Sequence, residues 1–353
     1  GKPFADGGAF YRSKKTRESH AGWYVLIGIC AAVPCLMVLV LLLMSADMVF
    51  ADLLVRFAGV FRFPVKLLRI LLMLVFGFLS SYCGVRYVQK HAADIKPSAG
   101  KTAEPLIAIA FTAPIAVLYL LFSAIQIVYL FIGNMQLPAG VTYAEYARRG
   151  FFQLLFVCVL NLAAVLFIQS YFKENRVLKA LLLAISGCTL IMTASSACRM
   201  LLYIRAYQLT FLRVSVLVAL AVIALLMAGV IAKIVKPQFP LFRYGFVLVG
   251  AVYLVFSFSH VDYFIAAYNL THTSWEASGE ETVDYSYLYT LSTDAAPAIE
   301  KYAGKSGAAD YRKQGWYQLY CEANEEALNA TGLRTYNVSH AVAKQLLMED
   351  NRE

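Results

Sequence analysis

The chain has 353 residues; 60% are hydrophobic, only 15% are charged, and the formal net charge is +9. Soluble domains carry about 25% charged residues, so a soluble globule of this size is excluded. A nucleic-acid partner is excluded too, because that footprint needs a basic face clustered on a soluble domain.

Residues 1–22 form a basic segment with Lys2, Arg12, Lys14, Lys15 and Arg17. The chain opens on Gly1 rather than Met, and no short apolar region with a small-residue cleavage site precedes Trp23. A shortened start is expected rather than a cleaved signal peptide. "WYVLIGICAAVPCLMVLVLLLM", Trp23–Met44, then runs 22 residues without a charge. At ~1.5 Å per residue it reaches about 33 Å, enough to cross a bilayer core of about 30 Å. Further spans are predicted at Val65–Val88, Leu106–Ile132, Phe151–Phe172, Leu178–Leu202, Leu212–Val235 and Phe242–Phe264. Lys66 and Arg69 lie near the start of the second, where basic stems snorkel to the interface. Pro114 is expected to kink the third. The fold class is all-α: a polytopic membrane protein of about seven transmembrane helices, residues 23–264, plus a small helical C-terminal tail, residues 265–353.

The loop cations set the orientation. One side collects 15 Lys and Arg and the other 7, so the richer side, with the N-terminus, is expected in the cytoplasm. Seven spans then put the tail outside it. From Ile265 onward the tail has 13 acids against 7 bases. Its segment "VDYSYLYTLSTDAAPAIEKYAGK" predicts a helix, a turn near Ser292–Asp294 and a second helix ended by Gly304. "WYQLYCEANEEALNA" predicts another, ended by Gly332, and "HAVAKQLLMED" a fourth. Asn269, Asn329 and Asn337 open N-x-[ST] triplets, which are common by chance.

Seven cysteines occur without a C-x-x-C pair. Six lie in or beside apolar runs and read as small packing residues; neither a disulfide framework nor a metal site has spacing support. No phosphate-binding, dinucleotide-binding, nucleophile-elbow or zincin motif is present, and no cofactor is implied. No inverted-repeat pair of spans is recognisable.

Two polar clusters stand out. In "TYAEYARRGFFQL", Thr142 and Glu145 make a T-x-x-E capping box, and Glu145 and Arg149 have the i, i+4 spacing of a helical ion pair. One reading is a helix that starts here along the interface and feeds the fourth span. The other is that Arg148 and Arg149 bind an anionic group such as a lipid phosphate, whose geometry guanidinium forks match. In "SSACRMLLYIRAYQLTFLR", Arg199, Tyr203 and Tyr207 share one helix face. Arg199 either snorkels or faces the bundle interior, where an ionisable residue is a functional candidate. The topology puts Glu145, Arg148, Arg149 and Arg199 at one membrane side, so a shared anion site is expected. Asn161, mid-span, needs a partner across helices. His260 and Asp262 are a candidate polar relay or a structural pair.

Several pieces together resemble a known family. They are "LLMSADMVFADLL", "TYAEYARRGFFQLL", "CRMLLYIRAYQLTFLR", "AAYNLTHT" and "VDYSYLYTLSTDAAPAI", in order and spacing over residues 40 to 300. The chain resembles the bacterial integral membrane proteins catalogued as domain of unknown function 4173, with close kin in 4153. The resemblance departs at Gln208, where the family's Y-G-L-T pattern has Gly, which puts a tight turn there in question. It implies a bacterial plasma membrane and further membrane helices upstream, and brings no activity. The expected function is a non-enzymatic sensor or transport-associated component, with membrane lipids and an envelope protein as partners, the latter through the tail. The alternative is an intramembrane enzyme acting on an anionic lipid or lipid-linked substrate through Glu145, Arg148, Arg149, Arg199 and Tyr203.

Overall fold

The structure, a computed structural model, describes residues 2–59, 103–128, 150–272, 274–275, 281–282, 285, 287–303, 315–329 and 337–349. Hydrocarbon offers the backbone no hydrogen-bond partner, so an uncharged run of spanning length closes its own bonds as a helix. Among the described residues six helices are long and apolar enough to cross a membrane. The chain is an all-α, multi-pass membrane protein. The predicted second span, Val65–Val88, lies outside the described residues.

Helix α1 runs Lys2–Ala46 and α2 Met48–Gly59; the further spanning helices are α3 (Pro105–Gln126), α4 (Phe151–Tyr171), α5 (Arg176–Tyr207), α6 (Phe211–Val235) and α7 (Leu241–Phe258). Pro105 occupies the first turn of α3, where its missing N–H is not needed. Helix α5 runs past the predicted Leu202 to Tyr207.

The seventh predicted span, Phe242–Phe264, needs a correction. Helix α7 stops at Phe258, and His260, in the left-handed region at φ 47°, starts the separate helix α8 (Val261–Thr271). The apolar run continues across this break, so hydropathy alone joins the two.

The tail also differs from expectation. Ser274–Trp275 and Glu281–Thr282 pair as a minimal antiparallel ladder, β1 and β2. Of the first predicted tail helix, the described residues hold a 3₁₀ turn at Leu288–Thr290; a second 3₁₀ turn, Thr293–Ala295, leads into α9 (Ala296–Tyr302). The third tail helix is broken at Asn324 into α10 (Gly315–Ala323) and α11 (Glu325–Asn329). Buried Asn324 donates Nδ2 to the Leu291 and Tyr320 carbonyls, both at 3.0 Å. The last helix, α12, is Val338–Lys344, followed by a wider π turn over Gln345–Glu349.

The chain divides into two compact units. Unit 1 comprises Gly1–Pro138, Arg149–Ser196 and Ile223–Leu241; unit 2 comprises Ala139–Arg148, Ala197–Val222 and Phe242–Glu353. The units therefore cut across the linear boundary expected at residue 264.

Unit 1 has its core among Leu39, Leu43, Phe50, Tyr119, Phe122, Leu154 and Met192. Helix α1 packs against α3 and α4. Gly28 allows the α1–α3 approach, since a Cβ there would lie 2.6 Å from the Ile107 carbonyl oxygen and the Ala110 Cβ. In unit 2, Ile265, Ala266 and Leu270 of α8 pack with Leu288, Ala295, Ala298, Ile299 and Tyr320, and Leu209 and Val214 pack onto this cluster.

Candidate functional site

Unit 1 carries two buried polar chains. In the first, three helices meet: Tyr119 of α3 donates its hydroxyl to Asn161 Oδ1 at 2.6 Å, and Asn161 of α4 donates Nδ2 to Thr189 Oγ1 of α5 at 3.0 Å. Thr189 in turn donates to the Ile185 carbonyl at 2.7 Å. Thr189, Thr193 and Ser196 fall on one face of α5 by helical spacing. Thr193 Oγ1 lies 3.3 Å from Cys158 Sγ, and Ser196 donates to the Phe151 carbonyl at 3.2 Å.

The second chain sits where α1 ends. Asp47 is buried; its Oδ1 accepts from Phe50 N–H at 2.9 Å, capping α2, and its Oδ2 accepts from Gln126 Nε2 at 2.8 Å. Gln126 Oε1 accepts from the Ser195 hydroxyl. The C-termini of α1 and α3 thus meet, and the two helices run parallel. Beside them, Gly150 starts α4 at φ 94°, and a Cβ there would lie 2.0 Å from the Ala46 carbonyl oxygen. Only glycine accommodates both that φ and that approach.

At the opposite end of unit 1, Ala103 and Phe172 form an isolated parallel bridge, and Lys173 pairs with Glu104 at 2.7 Å.

In unit 2 the polar groups gather at the α5–α6 turn. Gln208 adopts φ 65° and is buried, so the turn forms with glutamine in the position where the family pattern has glycine. Its Nε2 donates to the His272 carbonyl at 2.8 Å and to the Asn269 carbonyl at 3.3 Å. Asn269, on α8, reads both backbone groups of Leu209: its Oδ1 accepts from Leu209 N–H at 2.8 Å, and its Nδ2 donates to the Leu209 carbonyl at 2.9 Å. The Tyr287 hydroxyl accepts from Phe211 N–H at 3.0 Å. Arg213 donates to the Tyr207 carbonyl at 2.6 Å and to the Gln208 carbonyl, and its guanidinium lies 4.4 Å from the Tyr203 ring centroid. The Arg213 bonds supply a donor to carbonyls that the end of α5 leaves open.

Residues 1–302 match the family model described as domain of unknown function (DUF4153). The chain belongs to the DUF4153 family. No curated protein and no solved structure matches it.

In this DUF4153 chain three of the quoted pieces, those within unit 2, are structural neighbours. "AAYNL" supplies Asn269, and "YLYTLSTDAAPAI" supplies Tyr287, Ser292, Asp294 and the small residues packed against α8. Asp262 Oδ2 accepts from Ser292 N–H at 3.1 Å and from Ser292 Oγ at 2.6 Å. His260 Nδ1 faces Asp294 Oδ2 at 3.4 Å. The structure therefore places His260 and Asp262 on different partners, with Asn161 in the other unit. Tyr320 donates to the Ser292 carbonyl at 2.9 Å, and burial pushes its phenol well above the usual tyrosine range.

Of the expected anion site, Glu145, Arg148 and Arg149 lie outside the described residues, as does the Thr142 cap. Arg199 is 1% exposed, the largest fully buried side chain described; it is buried rather than snorkelled. The Tyr203 and Tyr207 rings lie 4.9 Å apart between centroids, tilted by 56°, with Tyr207 exposed. No group of residues able to hold a metal ion occurs among the described residues. Asp47 and Gln126 were not singled out by sequence; Gln208 was noted only as a departure from the family pattern and Asn269 only as an N-x-[ST] triplet. Gln126, a polar residue in a long apolar run, carried that isolation as its only signal.

Proposed function

We propose that this chain is a non-enzymatic sensor or transport-associated component whose C-terminal region meets a partner or ligand outside the cytoplasm and acts on the membrane helices. The supporting observation is the latch. Asn269 and Tyr287 hold the Leu209 and Phe211 amides of the α5–α6 turn, so a displacement of the tail acts directly on a transmembrane hairpin. Because the polar side chains of α8 bond to backbone and capping groups, their geometry serves attachment. The loop charges support a cytoplasmic N-terminus, and a parallel α1 and α3 fit an odd number of crossings up to α3. The plasma membrane of a bacterium and an envelope protein partner belong to the same reading.

Hydrogen exchange on the full chain in lipid nanodiscs tests the coupling. An antibody fragment bound to the tail is expected to change protection of the Leu209 and Phe211 amides several-fold; unchanged protection counts against the reading. Orientation is tested in intact cells with an impermeant thiol reagent at Cys321. Burial pushes this half-buried thiol up, so labelling is slow at neutral pH and should be read at mildly alkaline pH. Labelling only after lysis, with the unfolded chain as the reactivity control, would reverse the topology.

The intramembrane-enzyme alternative rests on Arg199, because a buried cation in a membrane helix is a functional candidate by default. It requires that the purified chain convert an anionic lipid to a product detectable by mass spectrometry, and that Arg199→Lys abolish the conversion while the chain still folds.

A further inference from the structure

A groove of about 410 Å³ lies wholly within unit 2, between the first turns of α6, the end of α7 and the start of α8. That volume falls in the range of about 300–1,000 Å³ typical of small-molecule sites. Its walls include Leu217, Val218, Val252, Val255, Phe264 and Ile265. The one wall hydroxyl, on Ser259, already donates to the Phe256 carbonyl at 2.8 Å. Nothing on the wall asks for a hydrogen bond, so the matching ligand is a hydrocarbon chain. An unfilled groove would forfeit dispersion contacts along its whole lining.

The surroundings say which hydrocarbon. Helix α7 has no buried residue, and Val255 is 70% exposed, so this wall faces the membrane. One end of the groove, at Leu209, Ser259 and Val261, coincides with the α5–α6 turn and the α7–α8 break. Arg213 adjoins the wall residue Val214 and is held in place by the Tyr203 ring and the Tyr207 carbonyl. His260 lies between the wall residues Ser259 and Val261, with its side chain largely exposed and Asp294 at 3.4 Å. That end therefore carries a fixed cation beside an apolar slot.

We propose that the groove binds one acyl chain of an anionic phospholipid, with the phosphate at the Arg213 end. The hydrophobic term scales with the chain length buried, and a guanidinium is matched to phosphate oxygens.

The test uses the full chain in phosphatidylcholine vesicles containing a trace of phosphatidylglycerol with a photoactivatable group in mid-chain. Adducts are expected on peptides bearing Leu217–Val218 and Val252–Ile265, several-fold above those on Phe242–Val249 of the same helix. Excess ordinary phosphatidylglycerol should lower the groove adducts several-fold and leave the others unchanged. A photoactivatable phosphatidylcholine should label the groove several-fold less, and Arg213→Gln should bring phosphatidylglycerol down to that level. Uniform labelling along α7 without competition means ordinary lipid contact and overturns the site. Equal groove labelling by the two lipids overturns its anionic selectivity. Should Arg213→Gln fail to fold, competition on the parent chain still decides.

Discussion

Asn161 and Asn269 are both carboxamides buried in apolar helices, one in each unit. Asn161 joins side chains: Tyr119 on one helix and Thr189 on another. Asn269 joins backbone: the N–H and the carbonyl of Leu209 in a turn. Inside a helical bundle the backbone N–H groups are already paired, so a carboxamide that needs both a donor and an acceptor finds them on side chains of neighbouring helices. At a turn the backbone is open, and the side chain completes it. The same residue type is thus glue between helices in unit 1 and a latch on a loop in unit 2.

The largest expected effect strikes backbone packing in unit 1. Gly150→Ala must adopt φ 94° and place its Cβ 2.0 Å from the Ala46 carbonyl oxygen. Left-handed strain and overpacking together should cost about 3 kcal/mol, read as a lowered midpoint in detergent unfolding. A loss under about 1 kcal/mol would mean that α4 does not approach α1 in this way.

Next comes the latch. Asn269→Leu leaves two backbone groups of Leu209 without partners, at a cost of about 2 kcal/mol. No second substitution can repair it, because the partner is main chain. Asn161→Leu should cost about 1 kcal/mol, typical of side-chain bonds between membrane helices. Here a repair exists: Tyr119→Phe and Thr189→Val added to Asn161→Leu should recover most of the loss, since removing both partners of a bond is close to neutral. Rescue at Asn161 without any rescue at Asn269 is the contrast to measure. If neither site or both sites respond to partner removal, the comparison fails.

Long uncharged runs announced the spanning helices closely, because length and hydropathy are what a bilayer selects. Five of the predicted spans start within two residues of Ala21–Ala46 in α1 and of helices α3, α4, α5 and α6. The break at His260 was not legible, since a left-handed φ leaves no mark on an apolar pattern. Tail helices were over-read for a related reason: three- and four-residue spacing in "VDYSYLYTL" suits a 3₁₀ turn under a packed cluster as well as a helix. The polar partners were the least visible. Asn161 was recognisable as needing a partner across helices, yet Tyr119 and Thr189 are ordinary in composition. Asp47 with Gln126 joins residues 79 apart in sequence, a pairing that only the parallel packing of α1 and α3 creates. Asn269 was noticed as part of an N-x-[ST] triplet, whereas its burial and paired amide leave it no free side chain to carry a glycan.

The smallest expected effect is at Gln208, where two costs and two gains nearly cancel. Left-handed φ at a residue with a Cβ costs about 1–2 kcal/mol, and among the described residues its buried Oε1 has no partner. Against this, Nε2 donates to the His272 and Asn269 carbonyls, each bond contributing about 1 kcal/mol net. Gln208→Gly removes the strain and the unpaired oxygen together with both bonds, so stability should stay within about 1 kcal/mol of the parent. Gln208→Val removes the same bonds and keeps the strain, which is worse for a branched side chain, and should lie at least about 1 kcal/mol below Gln208→Gly. Unfolding midpoints of the two variants in the same detergent make the comparison. Val equal to Gly would mean that the turn is not left-handed at residue 208, and the latch would lose the geometry that brings Leu209 to Asn269.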